Sequence, residues 1–486
     1  MKAINPFLIL LFLFLDTGFL IAQKELSSKL PDLIPYRIGY QWGFCDKNKN
    51  IVIPVQYDNV SFFKDGLSKV RSMGKEGVID INGKEIVPVK YDYIPELSNG
   101  FIKVQMHNKW GIINKNGKFI LPLKYDFVGD FKEGLVRVDL NEKSGFVNTE
   151  GKIVVPIKYN AVEEFCEGLA SVILNNKWGF VDTEGIEIVP LIYDRTAYSF
   201  HEGFARVELN NKWGMINKQG VEVIPLIYDD IEDFNQELTL VRLNGKSGFI
   251  DKTGNEVIPI KYEAAFPFKE NVTILKLNNE WGFIDKDGNG KIPLKYNWIL
   301  PFSEGFAIVQ LNRESGFINK EGIEVIPLKY NFVRDFNGGY AKVSKNEKWG
   351  IIDTEGNEVI PVVYDKIGDF KDELVSVGLN GKYGFANKEG KVVIPIKYEA
   401  VNGYFSEVLA AVCLNGKYGF INKEGKVVIH FKYERVGDFE NGLAEVDDNN
   451  FLHIGEKKGY IDKKGTEYWE DSGTSVLDVL IMILKK

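Results

Sequence analysis

The stretch that decides the fold runs from Gly168 to Asp194 and reads GLASVILNNKWGFVDTEGIEIVPLIYD. Its first segment places Ala170, Val172 and Leu174 on one face and the residues between them on the other, which is the period-2 signature of a half-buried β-strand. Two more short apolar runs follow, each after a cluster of turn-forming residues. The stretch therefore predicts three antiparallel strands joined by tight turns.

The same pattern recurs along the chain, and a glycine at the same place marks each copy. The intervals between successive glycines are 34 residues nine times, 35 twice and 40 once. A constant period of this size is typical of stacked copies of one supersecondary unit. The sequence therefore predicts an all-β array of tandem 34-residue, three-stranded antiparallel units. The marking glycines are Gly43, Gly77, Gly111, Gly145, Gly179, Gly214, Gly248, Gly282, Gly316, Gly350, Gly384, Gly419 and Gly459.

The residues between the strands predict how each strand ends. Asn244-Gly245 and its equivalents favour a two-residue hairpin with positive φ at both residues, and Gly356 suits the left-handed position of a longer hairpin. The third strand is predicted to end at a proline, Pro190 in this copy, because proline cannot donate to a ladder. The Asp, Asn or Glu that follows the repeat tyrosine, here Asp194, is predicted to cap a short helical turn.

The most regular copies contain the tripeptides Lys177–Gly179, Lys212–Gly214 and Lys348–Gly350, followed by a turn, an apolar residue with proline, and Tyr-Asp. These motifs resemble the WG (KWG) β-repeat family of bacterial proteins. The resemblance covers residues 36–468, as twelve full units and part of a thirteenth. It implies an extracytoplasmic or surface-associated repeat protein, without a common activity and without catalytic residues that could be assigned here.

How the units assemble is constrained by their number. Open twisted sheets seldom exceed about 10 strands, so the array must coil or close. Twelve full units exceed the usual range of about 4–8 propeller blades, which favours a superhelical solenoid. The alternative is two six-bladed propeller-like rings, because the two 35-residue intervals lie six units apart.

The ends of the chain differ from the repeats. Residues 1–22 combine Lys2, the apolar run Phe7–Leu15 and a polar end at Ala22, a pattern typical of a secretory signal peptide. Residues 23–35 are predicted to be a linker. Residues 469–486 are predicted to be a capping segment for the array, since terminal repeats need a cover.

Export predicts a periplasmic, cell-surface or secreted protein with no stable membrane span after cleavage. Asp16 leaves only nine uninterrupted apolar residues before it, whereas a span needs about 20. The formal net charge of −8 argues against a nucleic-acid partner. Three cysteines, Cys45, Cys166 and Cys413, lie in separate repeats and are predicted to be small buried hydrophobes without a disulfide framework.

The clearest candidate site is the residue before the marking glycine. Glu, Ser and Lys also occur there, and burying such groups unpaired would cost several kcal/mol, on the order of 2–7. The position is therefore predicted to be half-exposed, with each tryptophan either shielding backbone between repeats or offering a platform for a sugar ring or a protein side chain. The six tryptophans are Trp42, Trp110, Trp178, Trp213, Trp281 and Trp349.

Two other patterns bear on ligands. Two rows of lysines recur, one before the tyrosines and one before the tryptophan position, and they would favour an anionic partner if they lay beside the tryptophans. Asp285–Gly290 matches half of a calcium loop, but Tyr296 stands where the bidentate Glu should be. Neither a metal nor a cofactor is predicted.

These features favour a non-catalytic exported scaffold that binds a protein or a surface glycan along an extended surface. The alternative is a carbohydrate-binding module that uses the tryptophans as platforms. An enzyme is the least favoured class, because no nucleophile motif, phosphate loop or zinc pattern occurs.

Overall fold

A computed structural model describes residues 30–95, 97, 100–197, 199–235, 237–371, 373–447 and 458–470. The predicted signal peptide, residues 23–29 of the predicted linker and residues 471–486 of the predicted capping segment lie outside these ranges. The regular structure of the described residues is entirely β-strand.

The strands form thirteen small sheets in the described residues, which we call blades. Blade 1 contains β1 (Ile34–Ile38), β2 (Gln41–Cys45), β3 (Ile51–Tyr57) and β50 (Trp469–Glu470). Blades 2 to 4 contain β4 (Asn59–Val60), β5 (Leu67–Ser72), β6 (Lys75–Asp80) and β7 (Glu85–Tyr91); β8 (Phe101–Met106), β9 (Lys109–Asn114) and β10 (Phe119–Tyr125); and β11 (Phe127–Lys132), β12 (Leu135–Leu140), β13 (Lys143–Asn148) and β14 (Ile153–Tyr159). Blades 5 to 7 contain β15 (Ala161–Val162), β16 (Leu169–Leu174), β17 (Lys177–Asp182) and β18 (Glu187–Tyr193); β19 (Arg195–Thr196), β20 (Phe204–Leu209), β21 (Lys212–Asn217) and β22 (Glu222–Tyr228); and β23 (Asp230–Ile231), β24 (Leu238–Leu243), β25 (Lys246–Asp251) and β26 (Glu256–Tyr262).

The remaining blades repeat this plan. Blades 8 to 10 contain β27 (Ala264–Ala265), β28 (Val272–Leu277), β29 (Glu280–Asp285) and β30 (Gly290–Tyr296); β31 (Trp298–Ile299), β32 (Phe306–Leu311), β33 (Glu314–Asn319) and β34 (Glu324–Tyr330); and β35 (Phe332–Val333), β36 (Tyr340–Lys345), β37 (Lys348–Asp353) and β38 (Glu358–Tyr364). Blades 11 to 13 contain β39 (Lys366–Ile367), β40 (Leu374–Leu379), β41 (Lys382–Asn387) and β42 (Val392–Tyr398); β43 (Ala400–Val401), β44 (Ala410–Leu414), β45 (Lys417–Ile421) and β46 (Val427–Tyr433); and β47 (Arg435–Val436), β48 (Leu443–Asp447) and β49 (Lys458–Asp462).

The three predicted strands of each repeat are present, and most blades add a fourth that the sequence analysis missed. In blade 5 the two-residue strand β15 comes first and pairs antiparallel with β16, which pairs with β17, which pairs with β18. This short strand occupies the place where a helical turn was predicted after the tyrosine. That prediction was wrong because the backbone from Asn160 onward pairs with the next long strand. The Asn160 N–H donates to the Ile173 carbonyl at 2.8 Å.

The prediction that the third strand ends at the proline was also wrong. The strand β18 continues through Pro190 to Tyr193. Trp178 pairs with Tyr193 and Phe180 pairs with Val189, so β18 uses more residues than β17 between these two pairs. The strand β18 therefore contains a β-bulge. The bulge contains the proline, which is exposed and needs no ladder partner there.

Both turn predictions are confirmed. Asn244 and Gly245 have φ angles of 52° and 73°, and Gly356 has a φ of 85°. Asp353 and Asn357 close the second turn, with the Asp353 N–H donating to the Asn357 carbonyl at 3.1 Å. Residues with small or absent side-chain penalties at positive φ thus fix the register of each hairpin.

The hydrophobic core lies between consecutive blades. One cluster joins Phe180 and Val189 of blade 5 to Ala205, Val207 and Ile216 of blade 6. The central strands β16 and β17 therefore bury residues on both faces, one against each neighbouring blade, and not on one face only as the alternation suggested. An aromatic pair recurs at this junction and adds about 0.5–1.5 kcal/mol beyond burial; the ring centroids of Phe146–Phe165, Phe180–Phe200 and Phe249–Phe268 lie 4.7, 4.8 and 4.8 Å apart.

The chain divides into two compact units, residues 1–90 with 347–352 and 358–486, and residues 91–346 with 353–357. In the first unit the two ends of the described chain share blade 1. There β50 pairs in parallel with β1, aligning Trp469 with Arg37. The Tyr36 hydroxyl also donates to the Glu470 carboxylate at 2.7 Å.

The fold is a thirteen-bladed β-propeller. The predicted superhelical solenoid is therefore corrected, because in a solenoid the first and last units do not share a sheet. The propeller alternative describes the repeats better, although its division into two six-bladed rings does not fit, since the strand that completes the first blade comes from the end of the array.

Candidate functional site

The marking glycine permits a close backbone crossing in every regular repeat. A Cβ atom added at Gly214 would lie 2.5 Å from the Ile224 carbonyl oxygen and 2.8 Å from the Pro225 carbonyl carbon. In twelve repeats the added atom would lie within 2.8 Å of the carbonyl oxygen ten residues ahead, in the bulged third strand. The glycine is thus required by packing, since only a residue without Cβ fits there. At Gly459 the Trp469 ring occupies the equivalent space.

The residue before this glycine belongs to a cross-strand row at the hairpin end of each blade. In blade 5 the row consists of Ala161, Ile173 and Trp178, which pair directly across β15, β16 and β17. Directly paired residues project from the same side of a sheet and touch one another. We call these three positions the hairpin-end row.

The composition of the hairpin-end row varies from blade to blade while the frame stays constant. Blade 6 has the row Arg195, Glu208 and Trp213, with the Arg195 Nε atom 3.4 Å from the Glu208 Oε2 atom. Other blades place aromatic, amide or charged residues at the same three positions. Two further rows are Asp230, Arg242 and Ser247 in blade 7, and Trp298, Gln310 and Ser315 in blade 9.

All six candidate tryptophans are half-buried: Trp42, Trp110, Trp178, Trp213, Trp281 and Trp349. Each stands opposite the repeat tyrosine of the third strand, as Trp178 stands opposite Tyr193. Four of them contact the hydrophobic clusters between blades, namely Trp110, Trp178, Trp213 and Trp281. They lie one per blade and do not meet in a common pocket of the described residues.

The reasoning that polar residues exclude deep burial at this position was wrong for serine. Ser144 and Ser247 are only 3 % and 1 % exposed. A short side chain sinks below its larger row neighbours, whereas an indole at the same place reaches the surface. Glu76, which is 9 % exposed, lies 3.8 Å from the Lys69 ammonium group.

The acid or amide after the repeat tyrosine caps the two-residue hairpin instead of a helix. The Met73 N–H donates to the Asp58 carboxylate at 2.6 Å, and the Asn346 N–H donates to the Asn331 side-chain oxygen at 2.8 Å. Because both side chains offer one oxygen in the same place, Asp and Asn can exchange freely. The predicted cap is therefore present, but it caps the hairpin and not a helical turn.

The second lysine row pairs with these caps. The Lys177 ammonium lies 2.5 Å from Asp194, and that of Lys212 lies 2.7 Å from Asp229. The lysine hydrogen bond is the largest cause that lowers the pKa of Asp194 and of Asp229. These lysines are therefore already paired with an acid at the start of the next blade, which weakens the expectation of an anionic partner.

The segment Asp285–Gly290, which matches half of a calcium loop, folds like the other hairpins. The Asp285 carboxylate accepts the N–H groups of Asp287 and Asn289 at 3.1 and 2.8 Å. Lys291 lies 3.5 Å from the same carboxylate. Among the described residues no group of three or more His, Cys, Asp or Glu side chains is arranged to hold a metal ion.

All three cysteines are free thiols. Cys45 and Cys413 are buried as predicted, and burial raises the pKa of Cys45 to about 12. Cys166 is only partly buried. Within the described ranges, the structure contains no helix with the length and hydrophobicity of a membrane span.

Sequence reasoning missed a second group of aromatic residues, which lie opposite the first long strand of the repeat in blades 3, 4, 9 and 10. Tyr93, Phe127, Trp298 and Phe332 are 46, 45, 45 and 67 % exposed, which is more than any of the six candidate tryptophans. They occupy the first position of the hairpin-end row. The signal that could have found them is their fixed place, two residues after the repeat tyrosine.

Comparison with protein families supports the repeat pattern. The family model described as WG containing repeat matches twelve segments, residues 42–75, 77–110, 110–143, 145–178, 178–213, 213–246, 248–281, 281–313, 316–349, 349–383, 383–418 and 418–450. No curated protein matches the chain.

Several solved structures show a weak likeness. The extracellular domain of a protein described as a one component system of B. thetaiotaomicron is 10 % identical, with 91 % of this chain and 77 % of that chain covered and a TM-score of 0.21. The extracellular domain of a hybrid two component system of the same organism is 8 % identical, with 83 % of this chain and 68 % of that chain covered and a TM-score of 0.23. PorZ, a surface component of the type-IX secretion system of Porphyromonas gingivalis, is 10 % identical, with 90 % of this chain and 66 % of that chain covered and a TM-score of 0.21. TM-scores this low support no conclusion about the present chain.

Proposed function

The chain belongs to the WG containing repeat family, and on that premise we propose that it is a non-catalytic, exported binding scaffold. Its partner would be a protein or a surface glycan, and not a nucleic acid. The observation that carries the proposal is the hairpin-end row, where a constant blade frame presents a different set of side chains in each copy. A frame of this kind supports recognition, because affinity and specificity can be tuned at one position of each blade without disturbing the core.

The chemistry of the blades favours binding over catalysis. The acidic caps are held by a lysine of one blade and by a backbone N–H group of the next, as Asp365 is held by Lys348 at 2.5 Å and by the Asn380 N–H at 2.7 Å. An enzyme would need a nucleophile beside a base or two carboxylates at one cleft. Repetition instead distributes the titratable groups singly along the chain.

The six tryptophans of the repeat motif are proposed to serve mainly as packing residues, with their exposed edges as a secondary contact. The contact of four of them, Trp110, Trp178, Trp213 and Trp281, with the clusters between blades supports this division. Export is proposed on the pattern of residues 1–22. It can be tested by fractionating cells that express the chain with and without these residues; retention of both forms in the cytoplasm would contradict it.

The binding proposal is tested with the purified chain on a biosensor surface, against envelope protein and envelope polysaccharide fractions. A double variant, Arg242→Glu with Lys366→Glu, reverses two exposed charges of the hairpin-end rows in blades 7 and 11. We expect saturable binding to one fraction that the variant reduces, with unchanged thermal unfolding. Absence of binding to both fractions would refute the scaffold proposal.

A further inference from the structure

Two consecutive blades, 9 and 10, present an exposed aromatic side chain at the first position of the hairpin-end row. Blade 9 carries Trp298 and blade 10 carries Phe332. Blades 9 and 10 pack directly, since the Phe317 ring of one lies 4.7 Å from the Phe336 ring of the other. The two aromatic residues are 34 residues apart, which is the interval of the repeat.

Trp298 lies over small and uncharged neighbours. It pairs with Gln310, which pairs with Ser315. Ser315 is 4 % exposed, and its hydroxyl accepts the Gln310 side-chain amide at 3.3 Å. Because serine replaces the tryptophan of the repeat motif here, no second indole covers the row. In blade 10 Phe332 pairs with Ser344, which is 2 % exposed, and Trp349 keeps the tryptophan position of the motif.

The polar groups beside these aromatic residues also depart from the repeat. In several blades a lysine pairs with an acidic cap 17 residues later, as Lys177 does with Asp194. Before Trp298 and Phe332 the caps are the amides Asn297 and Asn331, and the lysine positions hold Glu280 and Glu314.

The amide caps keep hydrogen-bonding capacity. The Asn297 oxygen accepts the Asn312 N–H at 2.8 Å. An amide engaged in this way still carries two N–H donors, and an ionised glutamate such as Glu280 or Glu314 offers only acceptors. Both glutamates are exposed. The amide caps and the two glutamates together therefore offer both donors and acceptors.

We propose that the surface formed by Trp298 and Phe332 binds a neutral oligosaccharide, an inference that rests on the proposed scaffold function and names its ligand. A pyranose ring has an apolar face of C–H groups and a rim of hydroxyls. The face stacks on an indole or phenyl ring, as aromatic platforms accept flat ligand surfaces elsewhere. The hydroxyl rim donates to the glutamates and accepts from the asparagine amides.

The exposed glutamates disfavour an anionic ligand, since Glu280 and Glu314 would repel a polyanion. A ligand without charge avoids this penalty while using the same hydrogen bonds.

Isothermal titration of the full chain tests the proposal with hexasaccharides of glucose, mannose, xylose and N-acetylglucosamine as probes. The variants are Trp298→Ala, Phe332→Ala and the conservative Trp298→Phe. The matched control is Phe127→Ala, which removes an aromatic ring from the same row position in blade 4, where Arg137 covers the ring at 5.5 Å. Thermal unfolding of each variant verifies that the blades remain folded.

We expect at least one hexasaccharide to bind and each alanine variant in blades 9 and 10 to lose about tenfold or more in affinity, the scale of one stacking contact. Trp298→Phe should retain most of the affinity, and Phe127→Ala all of it. Binding that survives Trp298→Ala, or equal losses at Phe127→Ala, would overturn the site. The ligand class would be overturned if no hexasaccharide bound, or if a lysine-rich peptide bound at Trp298 instead. The scaffold function would still stand in that case if the biosensor test detected binding of a protein.

Discussion

Replacing Gly214 by alanine tests the physical basis of the repeat. The new Cβ atom would lie 2.5 Å from the Ile224 carbonyl oxygen and 2.9 Å from the Leu226 nitrogen. An ordinary carbon–oxygen contact in a sheet is about 3.3 Å, so the two strands would have to separate by about 0.8 Å. All the obstructing atoms belong to the backbone of β22, which cannot move without weakening its pairing with β21.

The magnitude follows from this geometry. Forcing an extra methyl group into packed structure costs about 1–3 kcal/mol, and the upper end applies because no side chain can turn aside. Alanine also reduces the freedom of the unfolded chain, which returns about 0.4–1 kcal/mol. We therefore expect Gly214→Ala to lower the free energy of unfolding by about 2 kcal/mol.

Urea unfolding, followed by tryptophan fluorescence and by circular dichroism, measures the change. Gly290→Ala is the matched control. Gly290 is also a strand residue of the second unit, the first of β30, but no atom lies within 4 Å of a Cβ added there. We expect the control to be neutral or slightly stabilising. Equal shifts of the urea midpoint in the two variants would show that the close crossing does not explain the glycine period.

Three further outcomes are expected. Trp178→Ala should destabilise the protein by about 2 kcal/mol, roughly half the cost of a fully buried tryptophan, while Ser247→Ala should change the unfolding free energy little; equal effects in urea unfolding would contradict the packing role of the tryptophan. Hydrogen bonds from Thr253 and from the turn lower the pKa of Asp251 to about 2, so its contribution to stability is present above the ordinary carboxyl pKa and is lost as the pH falls from about 4 towards 2. Asp251→Asn keeps the cap but removes the titration, so the urea midpoint of this variant should depend less on pH in that window than the midpoint of the unsubstituted protein. Parallel curves of midpoint against pH for the two proteins would refute this. In the folded protein a thiol-specific reagent should modify Cys166 before the buried Cys45, and mass spectrometry after partial labelling would show the reverse order if the burial were misassigned.

The regular parts of the fold could be predicted because they depend on local chemistry. The Asn-Gly hairpins follow from the positive φ that both residues adopt easily, and Asn244 and Gly245 adopt it. The period of the glycines and the alternation of Ala170 and Val172 required no knowledge of the rest of the molecule.

The candidate site could be predicted only in part. The half-exposure of the tryptophans followed from the mixture of residues at their position, yet the buried Ser247 and the exposed Trp298 did not. Their exposure depends on the partners that the register places beside them, Arg242 for one and Gln310 for the other. Residues five or more positions apart in the chain decide this, so a single position cannot reveal it.

The sequence by itself determined a chain of repeated antiparallel hairpins, because turn propensity and strand periodicity act within a few residues. Only the tertiary structure decided that the residues after each tyrosine form a fourth strand, that both faces of each blade are buried, and that Trp469 and Glu470 complete the sheet begun by Ile34–Ile38. These features depend on pairing between distant segments. Such pairing is selected by the burial of whole faces, which no local pattern encodes.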